Sequence, residues 1–182
     1  MKIKAIEKIC KAAKTVHVWR LKDGRAFAGD GMAFYQLPDS LAMLNARQLL
    51  DVFDVPDEKR DDWMTEDRAG TEATDALFGL SEADDTDAQT LPVTIGFNDD
   101  VWRPVADALQ TVVIPDRQIA PLGDEDCLRF FLRRVQNGTP LVVIRSGVLL
   151  RAIVIPHHPA EDLGRRLAQI GTDMMGGGNS DD

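Results

Sequence analysis

The stretch LVVIRSGVLLRAIVIP, Leu141–Pro156, places two apolar runs on either side of Ser146-Gly147. Both runs are short and rich in Val, Ile and Leu, and a Ser-Gly pair between such runs reads as the tight turn of a β-hairpin. The central hairpin of a buried sheet follows. With a two-residue loop, Arg145 faces Val148 and Arg151 faces Val142, which sends the two arginines to opposite faces of the sheet. In the same register Val143 and Ile153 also fall on opposite faces.

Outward from the hairpin, Leu128, Phe131, Leu132 and Val135 follow the i, i+3, i+4, i+7 spacing of a helix. Asp124 caps its start, and Asn137-Gly138 with Pro140 stops it. After the hairpin, residues 160–171 read as an amphipathic helix with Leu163, Leu167 and Ile170 inward and Arg165 and Arg166 outward, and residues 174–182 as a fraying tail. Upstream, Leu91–Phe97 reads as a strand, Pro104 opens a short helix over VADAL, and Thr111–Ile114 is a strand. The acidic run from Ser81 to Asp87 holds too little apolar surface to offset the entropy of ordering it. Residues 81–90 are therefore expected to be a mobile acidic linker between an N-terminal helix–meander subdomain, 1–80, and a C-terminal helix–hairpin subdomain, 91–173.

In the N-terminal half, residues 2–14 form a helix with Ile3, Ile6, Ile9, Cys10 and Ala13 on one side and Lys4, Lys8, Lys11 and Lys14 on the other. Thr15–Leu37 reads as three short strands joined at Asp23-Gly24 and Gly29-Asp30-Gly31. Trp19, Phe27, Phe34 and Tyr35 suit a packed core better than a stacking surface for bases. Asn45 caps a helix to Val52, and a second short helix from Asp57 to Met64 sets Trp63 and Met64 against the core. The order helix, strand, Gly turn, strand, Pro at residues 2–38 recurs at 125–156, the pattern of a pseudo-repeated helix–hairpin unit, although the residue identities do not repeat. The fold class is α+β, an antiparallel sheet built from hairpins with amphipathic helices packed on one face.

The 182 residues are 44% hydrophobic, enough for one core or for two small subdomains sharing a sheet. No apolar run approaches the ~20 residues of a membrane helix, and the amphipathic start has no cleavable hydrophobic region. A cytoplasmic protein without membrane partners is expected. Cys10 and Cys127 both fall at apolar positions of predicted helices and read as buried free thiols. The net charge of −9 is unevenly spread. Residues 1–25 carry eight Lys or Arg against Glu7 and Asp23, whereas residues 51–100 carry sixteen Asp or Glu against Lys59, Arg60 and Arg68. The basic head either meets a polyanion or is neutralised by the acidic belt; the overall charge favours the second.

Catalytic signatures are absent: there is no phosphate-binding Gly-rich loop, no His-Glu-x-x-His, no Gly-x-Ser-x-Gly and no Cys-x-x-Cys. No cofactor is expected. His157 and His158, directly after the last strand, are the weak candidates for a metal or a proton shuttle, but neighbours on a strand point to opposite sides. Asp99-Asp100 beside Trp102 and Arg103 reads as a turn, as does Gly29-Asp30-Gly31.

The pattern Ile6-x-x-Ile9-Cys10-Lys11-Ala12-Ala13-Lys14, then Gly29-Asp30-Gly31-Met32-Ala33-Phe34-Tyr35-Gln36-Leu37-Pro38, then the Leu141–Pro156 hairpin, resembles small uncharacterised proteins carried in phage and prophage regions of Gram-positive bacteria. A remoter, fold-level analogy is to the sliding-clamp domains of DNA replication. The resemblance implies a non-catalytic macromolecular binding or accessory protein, linked to DNA replication, whose partner is a protein or nucleic acid and which can form a homo-oligomer. Lys4, Lys8, Lys11 and Lys14 are its contact face. The alternative is a small enzyme or metal-binding protein using His157 and His158.

Overall fold

Strands β10 (Pro140–Ser146) and β11 (Leu149–Val154) form the hairpin expected of the Leu141–Pro156 stretch, and they lie in the middle of the sheet. The structure is a computed structural model and describes residues 1–71, 77–78, 85–97, 99–123, 125–135 and 138–176. Ser146 pairs with Leu149, so the turn is Gly147-Val148, one residue later than the sequence reading. Gly147 has φ +59°, and a glycine at the first central position removes the strain of that conformation. A bulge between Ile144 and Arg145 shifts the register further, and Val143 pairs directly with Ile153. The opposite-face expectation for these two is thereby corrected: both are fully buried in one cluster with Leu141 and Leu150. Arg145 and Arg151 do part company, the first pairing with Asp85 and the second with Glu125.

Ahead of the hairpin, Leu128–Arg134 is strand β9 and not a helix. LRFFLRR satisfies both periods, and seven registered pairs with β10 decide for the strand. Leu128, Phe130 and Leu132 face the main core while Phe131 joins the cluster on the other side. Asp124 and Asn137, the expected caps, lie outside the described residues.

Asp85–Thr90, assigned above to a linker, is strand β5. It pairs with β9 through Asp85–Ala88 and then, with Gln89 and Thr90, with β7 (Asp100–Ala106). Its acids are ordered by cations across the sheet, which the local composition cannot reveal. Residues 81–84 lie outside the described residues. β5 thus bridges two strands of the 91–173 segment, and the two proposed subdomains share one sheet because Ala33–Tyr35 pairs with Ala152–Val154.

β7 takes in Pro104, Val105 and Ala106, the opening of the segment read as the VADAL helix. It turns into β8 (Thr111–Pro115) where Asp107 Oδ1 accepts from the backbone N–H groups of Leu109 and Gln110 at 2.8 and 2.7 Å. That side-chain turn competes successfully with helix propagation. β6 (Ile95–Phe97) is a short edge strand on β7.

The N-terminal elements follow the expected order: α1 (Ile3–Ala13), β1 (Thr15–Arg20), β2 (Ala26–Gly29), β3 (Ala33–Gln36) and α2 (Ala46–Val52). Asn45 and Gln48 close a reciprocal capping box at the start of α2. Asp57–Asp62 is a 3₁₀ turn that places Trp63 against the core. Met64, expected beside it, is 61% exposed because it opens an edge strand, β4 (Met64–Arg68), which pairs in parallel with β1.

The sheet runs β4-β1-β2-β3-β11-β10-β9-β5-β7-β6, with β8 on β7. It curls back on itself, since Val113 of β8 and His157, just past β11, exchange both backbone hydrogen bonds at 2.9 Å. The main core lies inside this curl, with Ile6, Ile9 and Cys10 of α1 and Leu49 and Leu50 of α2 against the sheet. Along β8, Val112 and Ile114 face that core; Val113 faces outward to α3 (Glu161–Gly176), which packs Leu163, Leu167 and Ile170 on the far side. Trp19, Phe27 and Phe34 gather with Phe78 in an aromatic cluster and Tyr35 is buried in the main core, as the core reading of Trp19, Phe27, Phe34 and Tyr35 required.

Among the described residues, 125–156 contribute three strands and no helix, so a repeat of the helix–hairpin unit of residues 2–38 is not shown there. Cys10 is buried; Cys127 is exposed at φ +52° in the turn before β9, which corrects its reading as a helical core position. Among the described residues no helix is long and apolar enough to cross a membrane. Of the tail, residues from 177 onward lie outside the described residues.

Candidate functional site

α1 presents its cations as the periodicity requires. Ile6, Ile9 and Cys10 are buried, which leaves Lys4, Lys8, Lys11 and Lys14 exposed on the opposite side. Burial pushes the Cys10 thiol far above its usual range, with the Asp30 carboxylate adding to the shift, so this cysteine packs as a neutral apolar group. Lys11 Nζ donates to Glu7 at 2.6 Å one turn away, and Lys14 Nζ donates to Asp62 at 3.2 Å. Among the described residues Lys4 and Lys8 have no ion-pair partner.

The helix ends at Lys14, whose left-handed backbone (φ 50°) turns the chain into β1. Asp54, after α2, takes the same conformation at φ 49°. Between these two turns lies an open cleft of about 290 Å³. Val55, Pro56 and Trp63 give it apolar surface, and Lys11, Lys14, Lys59, Asp54 and Asp62 surround it. The lysine face thus runs off the helix into a cleft that also gathers Lys59 and Trp63, two residues the helical wheel cannot reach. An exposed ion pair contributes little, roughly 0–1 kcal/mol, so Lys11 and Lys14 can exchange their carboxylates for an incoming anion at small cost.

The histidine pair is differently used. His157 and His158 are both exposed. The His157 backbone closes the curl of the sheet, and its ring meets Trp102 edge-on with centroids 4.9 Å apart. Among the described residues no three His, Cys, Asp or Glu side chains gather as metal ligands would. Asp99 takes φ +63° in the β6–β7 turn and Asp100 pairs with Arg117. In Gly29-Asp30-Gly31, Asp30 Oδ1 accepts from the N–H groups of Met32 and Ala33 at 2.9 Å, and a Cβ at Gly29 would stand 1.6 Å from the Ala33 carbonyl oxygen. Both motifs are turns.

Two charge clusters were not singled out in the sequence. On the β1–β4 edge, Glu66 meets His17 Nδ1 at 2.6 Å and accepts from Arg68 at 2.8 Å. The Arg68 hydrogen bond, with the His17 contact second, holds the Glu66 carboxyl below its usual range. Deeper, the Asp85 side chain, 2% exposed, receives Arg133 Nε and Nη2 at 2.6 and 3.0 Å and also Arg145 Nη2. Arg133 Nη1 donates to the Leu77 carbonyl at 2.6 Å, and Arg145 lies 4.8 Å from the Phe131 ring centroid. Buried charges persist only when paired and hydrogen-bonded, as these are. Asp85 and Asp87, two residues apart, meet Arg133 directly and Arg129 diagonally across β9, and that spacing of charges was the available signal.

No protein-family model, curated protein or solved structure significantly matches this chain.

Proposed function

We propose that this protein is a non-catalytic binding protein that presents the α1 lysine face to nucleic acid, in an accessory role linked to DNA replication in a phage setting. The observation that carries the reading is that Lys4 and Lys8 project from a helix that packs Ile6, Ile9 and Cys10 into the core, while the same stripe continues into a lysine-rimmed cleft. A stripe of that kind meets phosphates spaced along a strand, and Trp63 offers an aromatic surface at its end. The acidity of the chain limits non-specific binding elsewhere. Four phosphate contacts give a log–log salt slope of about −3 to −4. Lys4→Glu with Lys8→Glu should reduce the slope by about two units with the thermal melt unchanged. DNA binding titrated across a salt series checks this; a slope that does not move removes α1 from the interface.

A further inference from the structure

Lys14 ends α1 in the left-handed conformation that helix C-termini ordinarily give to glycine or asparagine. A lysine there carries the strain of a Cβ in that region, and what it adds over glycine is an ammonium at the rim of the cleft beside Val55, Pro56 and Trp63. The rim holds three lysines against two aspartates, a local excess of positive charge in a chain of net charge −9. Lys59 is exposed there and, among the described residues, has no ion-pair partner.

Trp63 is fixed in the chain on both sides. Its N–H donates to the Arg60 carbonyl at 3.1 Å as the 3₁₀ turn closes, and the next N–H, that of Met64, donates to the Lys14 carbonyl at 3.0 Å. The half-buried indole packs against the main core and also lines the cleft. An aromatic surface is thereby held ready beside the lysines, which lowers the cost of ordering it around a ligand.

Cations next to an aromatic ring in a concave site suit a nucleotide whose base is free. A duplex keeps its bases stacked inside and offers such a cleft only phosphates, since turning one base out requires unstacking and unpairing it. A single strand presents its base faces freely, and stacking on aromatic side chains with cations along the backbone holds it without sequence readout. α1 contains no Arg, Asn or Gln to read base edges in a duplex groove. From Lys4 to Lys14 the helix rises about 15 Å, so its stripe tracks a short run of backbone towards Trp63. We infer, resting on the reading of the α1 lysines as a nucleic-acid face, that this surface selects single-stranded DNA and stacks one base on Trp63, with the flanking phosphates beside Lys11, Lys14 and Lys59.

Fluorescence anisotropy of the full chain at low salt, with a labelled oligothymidylate and with its duplex on oligodeoxyadenylate, tests the selection. The single strand should bind at least ~10-fold more tightly. Trp63→Leu keeps apolar bulk against the core but has no aromatic face. It should weaken single-strand binding roughly 5- to 100-fold, while the salt slope stays put because no charge is altered. Trp63→Phe keeps a ring, so it should hold the affinity within ~3-fold and abolish the quenching of tryptophan emission that the strand produces in the wild type. Trp19 and Trp102 remain in that variant and report any quenching from elsewhere. Thermal melts report that both variants fold. A duplex bound as tightly as the strand, undiminished binding by Trp63→Leu, or quenching that persists in Trp63→Phe overturns the inference. In each of those cases a slope still lowered by Lys4→Glu with Lys8→Glu leaves the lysine face standing, whereas binding of neither oligonucleotide removes both.

Discussion

Asp85 holds two guanidiniums in the interior, and its side chain is almost wholly removed from water. Replacing it by Asn keeps the volume and deletes the charge that faces the Arg133 and Arg145 guanidiniums. Breaking a buried pair in this way costs about 3–5 kcal/mol, far above the ~1 kcal/mol of an exposed pair such as Lys14–Asp62. Urea melts of Asp85→Asn should therefore show a large loss of stability, and one below ~1 kcal/mol would mean the cluster is solvated. Reading Asp85 as linker follows from its neighbours in the chain, which are acids. Its partners are 48 and 60 residues away, beyond any window of composition.

Elements whose apolar period has one interpretation were legible: α1 from its lysine stripe, α2 from Asn45, the central hairpin from its glycine, and α3 from Leu163, Leu167 and Ile170. β9 was not, because Leu128, Phe131, Leu132 and Val135 fit a helix while Leu128, Phe130 and Leu132 fit a strand, and only pairing with β10 chooses. The bulge at Ile144/Arg145 is also a pairing property, and it changes what mutation should do. Val143 and Ile153 are direct cross-strand neighbours, fully buried. Ile153→Ala should cost about 2–5 kcal/mol, Val143→Ala somewhat less, and the double variant should differ from their sum by at least ~0.5 kcal/mol because the two share one cavity. Strict additivity in a denaturant-melt cycle would separate them onto different faces.

At the scale of the whole molecule, charge sorts into internal and external sets. The acidic belt is met largely by arginines, Arg129, Arg133 and Arg145 from the C-terminal half and Arg60 beside Asp51, and among the α1 lysines Lys14 reaches it, through Asp62. The expectation that the basic head is neutralised by the belt therefore holds for Lys14 and leaves Lys4 and Lys8 facing outward. Asp62 becomes the informative position, since it competes with any anion for Lys14. Asp62→Asn releases that lysine and removes a carboxylate from the cleft rim. An exposed pair of about 0.5–1 kcal/mol then converts to a roughly 2- to 5-fold gain in DNA affinity at low salt, while stability changes by less than ~1 kcal/mol. Fluorescence anisotropy with a labelled oligonucleotide, run beside a thermal melt, reads both quantities. Unchanged or weaker binding by Asp62→Asn would exclude the cleft from the nucleic-acid path and confine the contact to Lys4 and Lys8.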